Sequence, residues 1–171
     1  GVEMNTGSLG HGLPIGVGMA MATKMLEMDN RIYVLMGDGE LAEGSVWEGA
    51  MAASHYKLDN LVGIIDRNKL QISGNTEEVM SLYDLVQKWT AFGWDVTQVD
   101  GHDMGALCQA LDAADAQEGK PHLMIAHTVK GKGVSFMENQ ANWHHGVPNQ
   151  EQFTIALAEL DEQIKELESH E

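Results

Sequence analysis

An apolar run leads directly into a glycine-flanked acid in Arg31-Ile32-Tyr33-Val34-Leu35-Met36-Gly37-Asp38-Gly39. A second apolar run, Asn60-Leu61-Val62-Gly63-Ile64-Ile65, leads into Asp66-Arg67-Asn68-Lys69-Leu70. Short runs rich in Val, Ile and Leu, with a helix-like segment between them, predict two buried parallel strands. Each predicted strand ends by presenting one oxygen-bearing side chain, Asp38 from the first and Asn68 from the second.

Outward from these two strands, the pattern predicts that helices and strands alternate along the chain. We predict helices over residues 13–28, 43–57, 81–91, 104–117 and 150–168, and strands over 31–36, 60–66, 94–99 and 122–127. Asp103 can cap the helix that follows it. The alternation predicts an α/β fold, with a parallel sheet flanked by helices on both faces and ligands bound beyond the carboxyl ends of the strands.

Composition limits the classes of protein and of partner. The 171 residues, 43% of them hydrophobic, predict a single domain over residues 1–171 with a true core. The net charge of −16 argues against nucleic acid and against an anionic membrane as partners. The single Cys108 permits no internal disulfide, which favours a reducing, cytoplasmic location. The chain starts at Gly1, in a glycine-rich segment, and we expect an upstream part to be missing.

The two strand ends together predict a seat for a small cation beside a phosphate. The Asp38 carboxylate, the Asn68 amide oxygen and the carbonyl of Leu70 are hard oxygen donors, which suit Mg²⁺ or Ca²⁺. Gly37 and Gly39 lack a Cβ, so the backbone between them can approach a phosphate closely. Either tripeptide alone is typical of a simple turn. At this spacing, each behind a strand, the pair favours the cation site.

These residues carry a resemblance to a known family. The Gly-Asp-Gly triplet with a distant Asn resembles the thiamine diphosphate motif, in which both bind the cation that anchors the cofactor's diphosphate. The string over residues 37–48, Gly-Asp-Gly-Glu-Leu-Ala-Glu-Gly-Ser-Val-Trp-Glu, is similar to the transketolase family in particular. Thr6-Gly7-Ser8-Leu9-Gly10 resembles the loop that transketolases place against the cofactor. The similarity runs across nearly the whole chain and corresponds to the later part of the family's first domain.

The resemblance implies a role for each of a small set of residues. The metal ligands would be Asp38, Asn68 and the carbonyl of Leu70. The expected cofactor-binding residues are Gly7, Leu9, Gly39, Glu40, Glu43, Ile72 and Lys130. Within that set, Gly39 would act through its backbone, Glu43 resembles the acid that links active sites across a dimer, and Lys130 would neutralise the diphosphate as a point charge. His145, in Trp143-His144-His145-Gly146, matches the active-site histidine of a Trp-His-Gly pattern and can move protons near neutral pH. The roles of His11 and His144 stay open.

The resemblance also implies a function. Transketolases transfer a two-carbon ketol unit between sugar phosphates, in the pentose phosphate pathway, and a glutamate on a separate pyrimidine-binding domain activates the cofactor. Nothing in these 171 residues matches that domain. We therefore expect a split transketolase, inactive as an isolated chain, that assembles as a homo- or hetero-oligomer with a C-terminal subunit. Two alternatives stay open, namely part of a 1-deoxyxylulose-5-phosphate synthase and a non-catalytic cofactor-binding or assembly module.

Overall fold

The computed structural model describes residues 1–115 and 118–169. The strands are β1 (Ile32–Gly37), β2 (Leu61–Arg67), β3 (Leu70–Gln71), β4 (Gly74–Asn75), β5 (Asp95–Asp100) and β6 (His122–His127). The helices are α1 (Gly12–Met25), α2 (Gly44–His55), α3 (Thr76–Val79), α4 (Leu85–Ala91), α5 (Met104–Asp115) and α6 (Gln150–Glu168), with 3₁₀ turns at Gly39–Ala42 and Ala141–His144. Within the described part of the chain, no helix is both long enough and apolar enough to cross a membrane.

Four strands form one parallel sheet in the order β1-β2-β6-β5, and β3 and β4 form a small antiparallel hairpin. In β6, Leu123 and Ile125 belong to the cluster that also contains buried residues of α1, α2 and α4. Since side chains alternate along a strand, the buried Met124 and Ala126 lie on the opposite face, where α5 packs on β5 and β6. The predicted fold class, a parallel sheet with helices on both faces, is confirmed.

All four predicted main strands are confirmed to within a residue or two of their predicted bounds. The predicted helix over residues 81–91 starts late, at Leu85, because Tyr83 has a φ of +52° and Asp84 caps the helix through the N–H of Gln87 at 2.9 Å. The helix predicted over residues 13–28 ends at Met25, since Glu27 turns the chain with a φ of +54°.

Two further sequence-based expectations concern the second half of the fold. Asp103 caps α5 as predicted, because its carboxylate accepts the N–H of Ala106 at 2.9 Å. Positions 116 and 117, which we predicted as the end of this helix, lie outside the described residues. The β3–β4 hairpin and α3 lie between the predicted strand 60–66 and the predicted helix 81–91, where no helix or strand was predicted. The 3₁₀ turn at Ala141–His144 likewise lies between the predicted strand 122–127 and the predicted helix 150–168.

Candidate active site

The two predicted strand ends lie side by side. β1 and β2 pair in parallel with Gly37 opposite Asp66, and the N–H of Asp38 donates to the carbonyl of Asp66 at 3.2 Å. The Asp38 side chain turns inward, with 1% of the residue exposed, and its Oδ2 accepts the N–H of Lys69 at 2.6 Å. Since Lys69 directly follows Asn68, the carboxylate and the Asn68 loop meet at the carboxyl edge of the sheet.

The loop after β2 has a strained backbone at its centre. Lys69 has a φ of +65°, in the left-handed region that residues other than glycine seldom occupy. This turn aims its N–H at Asp38, and it lets the Asn68 Oδ1 accept the N–H of Leu70 at 2.9 Å. Strain of this kind persists only where surrounding contacts enforce it, and it concentrates at functional sites. The half-buried Asn68 and Leu70 are thereby fixed next to Asp38.

The Asp38 carboxylate balances burial against hydrogen bonding. Burial raises the pKa of Asp38, while the Lys69 N–H and the Arg67 guanidinium oppose that rise. A buried carboxylate with an unfavourable desolvation energy gains strongly from a cation, because the cation stabilises the charged form. Asp38 precedes the 3₁₀ turn Gly39–Ala42 without capping it through its side chain, and the Gly39 N–H opposes the rise of its pKa less than Lys69 and Arg67 do.

The chemistry of the donors near Asp38 suits a cation with an attached diphosphate. One carboxylate, one amide oxygen and one backbone carbonyl form a set of hard donors of the kind that Mg²⁺ and Ca²⁺ prefer. A Cβ added to Gly39 would lie 2.9 Å from the Cβ of Gln71, so only glycine allows the turn to lie this close to β3. The residues after Gly39 form a 3₁₀ turn, and α2 begins at Gly44, one residue after the start of the helix predicted over residues 43–57.

Glu40 joins the predicted cofactor loop to this turn. Its Oε1 accepts the N–H of Gly10 at 2.9 Å, and its Oε2 accepts the N–H of Gly37 at 3.3 Å. Ser45 adds a second connection, since its hydroxyl donates to the Gly10 carbonyl at 2.7 Å. Both oxygens of Glu40 thus engage backbone donors. The predicted cofactor residues Gly7 and Leu9 are exposed on the loop that Glu40 holds.

Gly10→Ala is expected to detach this loop and to lower the stability by about 1–3 kcal/mol. Gly10 has a φ of +81°, and an added Cβ would lie 2.6 Å from the Ser45 Oγ and 2.7 Å from the Glu43 Cβ. Thermal unfolding and the thiamine diphosphate affinity measure the two effects. Gly18→Ala is the matched control, because Gly18 lies on the exposed side of α1 with open space at its Cβ position. Equal melting temperatures for the two variants would contradict the prediction.

Two predicted cofactor residues lie on exposed positions at the rim of the site. Glu43 precedes α2, where its side chain makes no capping hydrogen bond, and its Cβ borders Gly10. Ile72 lies at the tip of the β3–β4 hairpin with 62% of its surface exposed. An exposed aliphatic side chain beside a polar cleft offers a surface for an apolar ring. Glu43 thus lies beside the loop that contains Gly10, and Ile72 directly follows Gln71, whose Cβ lies close to Gly39.

The loop after β6 brings Lys130 near the two adjacent histidines. Its 3₁₀ turn Ala141–His144 packs against β3, and Trp143 fixes the turn by donating from its Nε1 to the carbonyl of Phe136 at 2.9 Å. Partial burial lowers the pKa of His144, and the positive charges of Lys130 and His145 lower it further. The rings of His144 and His145 meet edge to face at 4.7 Å. His145 itself is exposed.

A cavity of 880 Å³ opens at the carboxyl end of the sheet. Its lining includes two of the three predicted metal ligands, Asn68 and Leu70, together with Thr128 and Lys132 of the loop after β6; Asp38 does not line it. Two polar residues here were missed by the sequence reasoning. Arg67 pairs with Asp38 at 3.0 Å, and Thr128 donates from its hydroxyl to Asp66. The sequence did contain a signal for the Arg67 ion pair. Arg67 ends a buried strand, and a buried arginine is seldom found without an acidic partner.

The parallel sheet and the polar loops gathered at its carboxyl edge define an α/β cofactor-binding domain. The family model described as "Transketolase, thiamine diphosphate binding domain" matches residues 1–160. The chain belongs to the transketolase family, and residues 1–160 belong to its thiamine diphosphate-binding domain. The resemblance stated from the sequence is therefore confirmed.

Individual relatives agree with the family match. An apulose-4-phosphate transketolase subunit from Phocaeicola vulgatus is 60% identical over 168 residues, which are 98% of this chain and 60% of that protein. The subunit of the same name from Actinobacillus succinogenes is 48% identical over 163 residues, covering 95% of this chain and 59% of that protein. The crystal structure of transketolase from Campylobacter jejuni has a TM-score of 0.84 at 36% identity, covering 91% of this chain and 26% of that one. The chain thus spans about 60% of the length of these curated relatives.

Proposed function

We propose that the chain is the diphosphate- and metal-binding part of a split transketolase. With a partner chain that carries the pyrimidine-binding domain, it transfers a two-carbon ketol unit from a ketose phosphate to an aldose phosphate. The observation that carries this proposal is the buried Asp38 carboxylate held 2.6 Å from the Lys69 N–H, beside Asn68 and Leu70, in a chain of the transketolase family. The similarity to proteins that are named as single subunits of a transketolase supports the split arrangement.

In this proposal, Mg²⁺ or Ca²⁺ is held by Asp38, Asn68 and the carbonyl of Leu70. The Gly39 backbone approaches the diphosphate, and the Lys130 ammonium neutralises part of its charge. Gly7, Leu9 and Ile72 line the organic part of the cofactor, while Glu40 holds the loop that carries the first two. When bound, thiamine diphosphate supplies the carbon nucleophile of ketol transfer.

His145 is the proton-transferring residue that this chain contributes. It is exposed directly after the 3₁₀ turn that packs on β3, which supports a role next to the diphosphate. A histidine changes charge near neutral pH and can exchange protons with sugar hydroxyl groups. The lowered pKa of His144, caused by burial and by the charges of Lys130 and His145, favours the neutral form of that neighbouring ring.

The partner subunit completes the site. We propose that it supplies the glutamate that activates the cofactor, and that the exposed Glu43 lies where it contacts a second subunit in a homo- or hetero-oligomer. We further place the protein in the cytoplasm, with phosphorylated sugars of the pentose phosphate pathway as substrates. Because the two relatives are named for apulose 4-phosphate, that sugar phosphate is also a candidate donor.

Reconstitution with the partner subunit tests the function. The purified chain, supplied with thiamine diphosphate and Mg²⁺, is expected to show no ketol transfer alone and clear turnover once the partner is added. Xylulose 5-phosphate and apulose 4-phosphate serve as donors, and pyruvate serves as the control that a 1-deoxyxylulose-5-phosphate synthase would accept. Robust turnover by the isolated chain would refute the split-site proposal. Cofactor binding by the pair without turnover on any donor would favour the non-catalytic module.

A further inference from the structure

The guanidinium of Arg67 is the one buried cation at the candidate site among the described residues, and it contacts three side chains. Arg67 is the last residue of β2 and is 8% exposed. Its Nη1 donates to the Asp38 Oδ2 at 3.0 Å and to the Thr76 Oγ1 at 2.8 Å, and its Nη2 donates to the Glu77 Oε1 at 2.7 Å. A buried cation is costly unless several partners of this kind surround it. The geometry therefore specifies an arginine at this position.

These contacts determine which oxygen of Asp38 can face a cation. The Arg67 Nη1 and the Lys69 N–H both end on Oδ2. Two donors on one oxygen fix the rotation of the carboxylate group, while the Gly39 N–H has only a smaller effect on it. In this orientation Oδ1 would be the oxygen that faces the metal. An Asp38 held in this way would bind a cation through a single oxygen.

The same guanidinium links Asp38, the proposed metal ligand, to helix α3. Thr76 and Glu77 belong to α3, which begins directly after the β3–β4 hairpin. That hairpin carries Leu70, a proposed metal ligand, and Ile72, a proposed cofactor contact. The Arg67 cation is shared between two carboxylates, Asp38 and Glu77, so the three side chains together keep one negative charge to attract a metal ion. Residues 70–79 and Asp38 are thus held by one planar group.

We propose that Arg67 is a positioning residue that orients the Asp38 carboxylate for single-oxygen binding of Mg²⁺ and couples that binding to residues 70–79. This inference rests on the proposed function, since it requires the cation site. Outer contacts that orient a metal ligand typically change metal affinity by about 10- to 100-fold. Arg67 acts through Asp38 and does not itself touch the cation or the cofactor.

The test compares Arg67→Met and Arg67→Lys with the unmodified chain, each reconstituted with the partner subunit. Mg²⁺ is titrated at fixed thiamine diphosphate, with cofactor binding followed by calorimetry. Arg67→Met is expected to weaken the apparent Mg²⁺ affinity by about 10- to 100-fold, because the lost orientation of the Asp38 carboxylate outweighs the added net negative charge. Arg67→Lys keeps the buried positive charge but loses the planar guanidinium. Its Mg²⁺ affinity is therefore expected to lie between that of Arg67→Met and that of the unmodified chain. Arg31→Met is the matched control, because the chain's other arginine lies at the opposite end of the sheet, where it donates to the carbonyls of Asp59 and Ala114.

A second measurement separates positioning from general loss of stability. Ca²⁺ accepts two-oxygen carboxylate ligands and irregular geometry, whereas Mg²⁺ requires a near-octahedral site. Releasing Oδ2 from Arg67 is therefore expected to shift the ratio of Ca²⁺ to Mg²⁺ affinity several-fold toward Ca²⁺ in Arg67→Met. Hydrogen exchange should also show that Mg²⁺ with thiamine diphosphate protects residues 70–79 in the unmodified chain and protects them less in this variant.

The outcomes distinguish the two levels of the proposal. If the unmodified pair shows no Mg²⁺-dependent cofactor binding, the proposed function itself fails. If it binds, and a folded Arg67→Met keeps both the Mg²⁺ affinity and the Ca²⁺ to Mg²⁺ ratio, the positioning role is wrong. Should Arg67→Met fail to fold, Arg67→Lys decides the question by the same two readouts.

Discussion

Asp38→Asn is expected to weaken the Mg²⁺-dependent binding of thiamine diphosphate by about 100-fold or more. Substitutions of residues that only orient a metal ligand usually have smaller effects. The substitution keeps the size of the side chain and removes the single negative charge that a divalent cation would meet at this position. Arg67 keeps its ion pair with Glu77 at 2.7 Å, so the variant retains one partner for its buried cation. Calorimetric titration of the cofactor, with and without Mg²⁺, measures the loss.

The matched control for this prediction is Asp59→Asn. Asp59 lies near the opposite end of β2, where it pairs with Lys24 at 2.5 Å and accepts the N–H of Gly119 at 2.8 Å. Such a partly exposed ion pair contributes only about 0–1 kcal/mol, so the control should keep both its fold and its cofactor affinity. If Asp38→Asn bound Mg²⁺ and cofactor as tightly as the control, the cation would have to bind elsewhere in the chain.

An overall charge of −16 does not prevent this chain from binding a diphosphate, because the basic residues are concentrated where the anion is expected. Arg67 and Lys69 lie at the end of β2, and Lys130 and Lys132 follow β6, so four of the chain's ten basic residues lie at one edge of the sheet. The local field is visible at His127, whose pKa is lowered first by burial and then by the charges of Lys69 and Arg67. Fields of this kind act over short distances, and they decide ligand binding more than net charge does.

The strand ends could be predicted from the sequence because they depend on short-range rules. Apolar runs of six or seven residues become strands, and parallel strands present their following residues at one edge. That reasoning placed Asp38 and Asn68 together, and the Lys69 N–H within 2.6 Å of Asp38 agrees with it. The roles of Lys130 and His145 came from the resemblance to transketolases, because hydrophobic periodicity does not assign functions to single residues. These roles stay predictions.

The side-chain network around Asp38 could not be predicted in the same way. The pairing of Arg67 with Asp38 spans 29 positions in the sequence and depends on rotamers that the pattern does not record. The turn at Lys69 was equally hidden, because lysine has no preference for a positive φ and tertiary contacts impose it. α3 had a readable signal that was missed. Asn75 caps it through the N–H of Glu77 at 2.9 Å, as asparagine before an acidic first turn commonly does.

Trp89→Ala is expected to have the largest effect on stability, a loss of about 3–5 kcal/mol. Trp89 is completely buried in α4, and its ring packs against Trp47 of α2 at 5.2 Å and against Trp94 at 4.9 Å. Since domains are stable by only about 5–15 kcal/mol, this loss would remove a large part of the folding free energy. Urea denaturation should show a lower midpoint with an unchanged slope.

Trp89→Phe and Trp94→Phe separate packing from hydrogen bonding in this cluster. The buried Nε1–H of Trp89 meets no acceptor among the described residues, whereas that of Trp94 donates to the Ala50 carbonyl at 2.9 Å. Trp89→Phe removes side-chain volume and an unsatisfied donor. Trp94→Phe removes similar volume and also a hydrogen bond worth about 1 kcal/mol. The free energy of unfolding is therefore expected to fall clearly less in Trp89→Phe than in Trp94→Phe. Equal losses of unfolding free energy would show that the Trp89 N–H is satisfied in solution.

Since neither tryptophan belongs to the proposed cation and cofactor site, folded samples of both variants should bind thiamine diphosphate and Mg²⁺ as the unmodified chain does.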